Sequence, residues 1–159
     1  MSIFNRLGII GLTLAMSNQV YEHSSNLDKL NVVDKSIYES GIHLYNQGCG
    51  NLEDGELTNK SKCILSLTRL KQVVKKHPYL VDAQMRLAEI FYYQPSQIQW
   101  GEDSIAVRDE NLKIGFKHLQ KALEYDRWNS KGLQLLELYK VTHRASQTAD
   151  SKAPRKEAF

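Results

Sequence analysis

Between Asp34 and Arg144 the apolar residues recur every three or four positions in successive runs parted by loops. No stretch shows the period-two alternation of a half-buried strand that could compete with this pattern. That single property restricts the chain to packed helices. In "DKSIYESGIHLYN", Ile37, Tyr38, Gly41, Leu44 and Tyr45 share a side, with Asp34 placed as the N-cap and Gly48 just past the end. "SKCILSLTRLKQVVKKHP" carries Ile64, Leu67, Leu70, Val73 and Val74, then Lys75, Lys76 and His77 before Pro78 stops it. Val81 to Tyr93, Asn111 to Tyr125 and Ser130 to Arg144 repeat the pattern. The links alternate: a long glycine-bearing loop, a tight turn, a second long loop with room for a turn of helix, a second tight turn. The sequence therefore predicts five helices in an all-α domain over 34–144. Residues 18–33 read as a linker, and the polar tail 145–159 reads as disordered.

The chain's 159 residues suffice for one domain with a core. A net charge of +3, without a dense basic stripe, argues against a nucleic-acid partner. The N-terminus holds Arg6, then the uncharged run Leu7–Met16, with Ala15 and Ser17 spaced as small residues are before a signal-peptidase cut. That run is shorter than the roughly 20 residues needed to span a bilayer. Residues 1–17 thus read as a signal peptide cleaved after Ser17, which makes the protein exported, periplasmic or secreted. Contact with a membrane is expected only through that segment; the alternatives are a buried N-terminal helix or a retained anchor. In an exported chain the lone pair Cys49 and Cys63 is most simply a disulfide, worth about 3 kcal/mol by loop entropy. In a cytosolic chain both would stay thiols.

The two tight turns invite a test for internal repetition. At an offset of 49, "LTRLKQVVKKHPYLVDAQMRLAEIF" lies over "FKHLQKALEYDRWNSKGLQLLELYK", with Leu70 on Leu119, Val73 on Ala122 and Val74 on Leu123. In this the chain resembles the tetratricopeptide (TPR) family, whose repeat is a pair of antiparallel helices of about 34 residues. Leu87–Ala88 with Phe91 matches the family's first-helix pattern. Gly115, Leu119 and Ala122–Leu123 match its second, and Pro78 supplies the exit proline behind Ser66, Leu70 and Val73–Val74. The departures are enlarged internal loops, Arg127 where the second exit proline would stand, and a last helix with no small residue at its packing position. The resemblance implies about two and a half divergent repeats, stacked as a short TPR-like α-solenoid whose last helix caps the array.

It also implies a function: binding a peptide or another protein's segment in a groove lined by each repeat's first helix. Carried across position by position, the groove residues are Asp82, Met85, Glu89, Tyr92 and Tyr93. On the first repeat they are Lys35, Tyr38, Ile42, Tyr45 and Asn46. Asp82 and Glu89 would select a basic partner. A tyrosine and methionine stripe at helical spacing reads equally as core, and Ile42 is better placed there. In the second long loop Trp100 is a candidate recognition tip or a lid folded over the array, and Trp128 is expected between the last two helices. Together with the leader, the resemblance implies an adaptor or scaffold supporting assembly of a cell-envelope, secretion or pilus complex.

Catalytic signals are weak. His23, His43, His77, His118 and His143 form no HExxH or i,i+4 pair, and there is no GxSxG and no phosphate-cradling glycine loop. Glu102, Asp103, Asp109 and Glu110 read as solvated loop charge. The expectation is therefore no enzyme activity, no cofactor and no metal. The competing readings are a small exported hydrolase with its site in the long loops, and a structural subunit that stacks on copies of itself.

Overall fold

The computed structural model describes residues 26–50, 52–54, 57–94 and 105–152, with residues 53, 105 and 144–152 given by their backbone alone. Among them are α1 (Val32–Gly48), α2 (Lys60–Lys76), α3 (Val81–Tyr93), α4 (Ile105–Tyr125) and α5 (Ser130–Lys152). A 3-10 turn covers Leu52–Asp54, Asn26 and Leu27 are also helical, and no strand occurs among the described residues. The protein is all-α. The expected signal peptide, its cleavage point and Trp100 lie outside the described residues, as do 153–159 of the expected tail.

Two helix starts differ from expectation. Helix α1 begins two residues before Asp34, because Asn31 is its cap: Asn31 Oδ1 accepts the Asp34 N–H at 2.9 Å. Asp34 sits in the first turn and its Oδ2 accepts from Asn31 Nδ2 at 2.8 Å, so the two side chains close the helix end reciprocally. Helix α4 begins at Ile105 and not Asn111, which places Asp109 and Glu110 on a helix and not in a loop. At the other end, α5 continues past Arg144 to Lys152, into the segment read as tail.

The helices pack as hairpins. Antiparallel packing of α1 on α2 is fixed at both ends. At one end Asp34 bonds Lys76 Nζ at 2.8 Å and His77 Nε2 at 2.9 Å. At the other, Cys49 and Cys63 stand at disulfide bonding distance, S–S 2.12 Å, with both residues buried. Gly48 permits this closure, since a Cβ there would run into the Cys63 N–H and the Lys62 backbone. Midway, Ser66 Oγ donates to the Gly41 carbonyl at 2.8 Å. Helix α3 pairs with α4 in the same way, Phe91 stacking on His118 and Gln84 bonding it.

Helix α3 is shared by two apolar clusters. Leu87, Ile90 and Phe91 join the core built with α1 and α2, around Tyr38, Leu70 and Val73. Met85 and Ala88 join a second core with Leu119, Ala122, Leu135 and Tyr139. Leu27 and Leu30, in the segment read as linker, pack against the first of these. Trp128 is not between the last two helices; it is 75% exposed. It stands in the short turn 126–129 between α4 and α5, which presents its side chain to solvent.

Candidate functional site

The first helix of each hairpin runs parallel to the next. Tyr38 donates to Asp82 Oδ2 at 3.2 Å and Tyr45 to Glu89 Oε2 at 2.6 Å, both pairs 44 residues apart, so α1 and α3 lie side by side in one direction. On the far side of α3, Lys131 of α5 bridges to Glu89, and Tyr92 and Tyr139 link the same two helices. Helices α1, α3 and α5 thus form one layer, with α2 and α4 behind them.

Across this layer runs an open cleft. Its larger part has a volume of about 930 Å³, walled by Tyr79, Asp82, Met85, Arg86, Asn129 and Lys131 among others. A second recess continues from it toward Tyr45, Asn46, Leu52 and Tyr93. Arg86, Glu89 and Lys131 line both, so the two are one groove with a charged waist.

The waist is internally paired. Arg86 lies 3.4 Å from Asp82 Oδ1 and 3.6 Å from Glu89 Oε2, and its guanidinium sits 4.7 Å from the Tyr45 ring centre. Burial works against the Arg86 charge, but Asp82, Tyr45 and Glu89 outweigh it and hold its pKa above the ordinary arginine value. Burial, then the neighbouring carboxylate, pushes the Tyr38 and Tyr45 phenols well above the usual tyrosine range, so both remain neutral donors. Glu89 is buried and bonded by Tyr45, Arg86 and Lys131. Asp82 and Glu89 therefore have partners within the chain, which weakens the expectation that they select a basic ligand.

The expected groove residues separate into four groups. Asp82, Met85, Glu89, Tyr93, Tyr45 and Asn46 line the cleft, Met85 mostly through its packing against α5. Tyr38 lies beneath it, tied to Asp82, and Ile42 packs against the core. Tyr92 turns away, its hydroxyl 3.1 Å from Thr142 Oγ1 and its ring edge-on to Tyr139. Lys35 is half-buried on α1 and lines neither recess. Arg86 and Lys131 escaped the sequence reading. The spacing of Asp82, Arg86 and Glu89, four and then three residues apart, was the available signal.

Among the described residues no group of three or more His, Cys, Asp or Glu is placed to hold a metal ion. None of their helices is long and apolar enough to cross a membrane. No family model, no curated protein and no solved structure matches the chain.

Proposed function

We propose that the protein is an exported, TPR-like adaptor that holds a segment of another protein in the groove across α1, α3 and α5 and performs no chemistry of its own. The observation that carries this is the groove itself, an open, two-part channel on the layer where first helices lie in parallel. Its wall mixes side-chain amides and hydroxyls with aromatic faces, which suits an extended polypeptide offering both backbone and side-chain partners. The buried Cys49–Cys63 pair and the leader-like N-terminus support export. A place beside an envelope, secretion or pilus assembly follows from the TPR resemblance and export together.

The test is cofractionation from the native extract, comparing the protein with Asn46→Trp and Lys131→Ala variants. Asn46 and Lys131 are exposed, and urea midpoints check that each variant keeps the fold. The proposal expects one stoichiometric partner, lost in both variants. A partner retained by both would move binding out of the groove, and free monomer alone would defeat the adaptor reading.

A further inference from the structure

The two parts of the groove are built from different lengths of chain. The larger cleft takes its described walls from residues 26–29, 79–89 and 125–131. The second recess adds Tyr45, Asn46, Gly50, Leu52 and Asp54, all within five residues of Cys49, and sets them against α3 and α5. Helix α1 ends here: the Cys49 N–H donates to the Tyr45 carbonyl at 2.9 Å, closing the turn that carries Asn46. Gly50, at φ +56°, then redirects the chain. The 3-10 turn Leu52–Asp54 lies against α3, with Leu52 buried in the first core. One wall of the recess is thus the last turn of α1 together with the residues that follow it.

The Cys49–Cys63 pair stands at the root of that wall. Both cysteines are buried, and beside them the Asn59 N–H donates to the Gly48 carbonyl at 2.8 Å. Unbonded cysteines would leave this end of the hairpin to non-covalent contacts such as that one and the exposed Lys62–Gln47 bond at 2.9 Å. The rest of the hairpin is held elsewhere. Ser66 on the Gly41 carbonyl, and Asp34 on Lys76 and His77, join α1 to α2 from its middle to its far end. Losing the bond should therefore loosen the wall locally and leave α3, α4 and the larger cleft in place.

We infer that the second recess is a disulfide-dependent half of the groove, complete only once Cys49 and Cys63 are joined. What enters the recess rests on the adaptor reading, the same polypeptide segment; how the recess is built does not. Forming the bond removes two electrons and two protons from the two thiols. Exchange with the disulfide of an oxidant takes them up, and that oxidant leaves as a dithiol. A reduced chain offers the larger cleft alone. The oxidised chain offers both parts, so the partner is held in both only where disulfides form.

Hydrogen exchange on the purified full chain tests the wall directly. Three forms are compared: oxidised, refolded in dithiothreitol with both thiols kept, and Cys49→Ala with Cys63→Ala. The amides at positions 49, 59 and 63 are each hydrogen-bonded at this end of the hairpin. In both unbonded forms they should exchange faster by about tenfold or more, with those of α3 and α4 unchanged. Unchanged exchange at the three positions overturns the inference. Equal loss of protection in every helix also overturns it, since the bond would then hold the whole fold. Photocrosslinking in the native cell follows the partner, from Asn46 in the recess and from Lys29, exposed beside the larger cleft. The oxidised protein should capture one polypeptide from both positions, and the cysteine-free variant from Lys29 alone. Capture from Asn46 that survives in that variant, or is lost together with capture from Lys29, contradicts the inference. No capture from either position in the oxidised protein would defeat the adaptor reading, and the exchange result would still decide the recess.

Discussion

Gly115 and the Tyr139 hydroxyl compete for one space where α3, α4 and α5 meet. The hydroxyl donates to the Ala88 carbonyl at 2.9 Å, and a Cβ on Gly115 would collide with it and lie 2.6 Å from Phe91 Cβ. Gly115→Ala should therefore destabilise by about 2–3 kcal/mol, as overpacking does. Adding Tyr139→Phe should recover part of that loss, measured as a non-additive double-mutant cycle in urea. His118 carries a second residue-scale prediction. Burial, and then the Lys71 charge, depresses its pKa to about 4. Gln84 Nε2 donates to the Pro78 carbonyl, so Gln84 Oε1 accepts from a protonated Nδ1. The unfolded imidazole takes up its proton near pH 6.5 and the folded one only near 4, so stability falls as pH drops through that window. The loss amounts to roughly 3 kcal/mol in all. Urea midpoints at pH 7 and 4.5 should show it, and His118→Gln should flatten the slope. Below that window Asp34 takes over: its bonds to His77, then Lys76, hold its carboxyl down at about 2, so its contribution is lost as pH falls from 3.8 toward 2.

At the scale of elements, the α1–α2 hairpin is held at both ends by contacts that differ in kind. The Asp34 cluster closes one end with charge-assisted bonds, and the cysteine pair closes the other covalently. Changing Cys49 and Cys63 to Ser should cost about 2–4 kcal/mol in chemical denaturation. Much of this was legible in the sequence. Period three-to-four apolar runs marked the helices, Pro78 marked the first tight turn, and the cysteine spacing allowed the bond. What escaped did so for physical reasons. Asp34 looks like an N-cap, but Asn31, three residues earlier, can satisfy the same N–H groups, and tertiary bonds to α2 draw Asp34 into the first turn. The start of α4 is hidden because "IAVRDE" offers only three adjacent apolar residues before three charged ones, too few to show a helical period. The Trp128 expectation failed because a large apolar side chain in a tight turn is aimed by the turn's backbone, and here it faces solvent.

At the scale of the molecule, the groove positions came from the TPR resemblance, and most of them line the cleft; the pairing that fills its waist could not be read from one helix. Glu89 faces Tyr45 from α1, Arg86 from its own helix and Lys131 from α5, so three elements meet at a single buried carboxylate. Glu89→Ala should cost about 3–5 kcal/mol, because Arg86 is left half-buried with a partner gone. The charge of Lys131, half exposed, should matter far less to stability. This difference separates scaffold from surface: Glu89 sets the alignment of the first helices, and the exposed groove residues are free to meet a partner. Site-specific photocrosslinking in the native cell tests the central claim most directly, with the crosslinker placed at Asn46, at Lys131 and at Lys117 on the exposed back of α4. The account predicts one and the same polypeptide captured from Asn46 and Lys131 and not from Lys117; equal capture from all three positions, or capture from Lys117 alone, would contradict it.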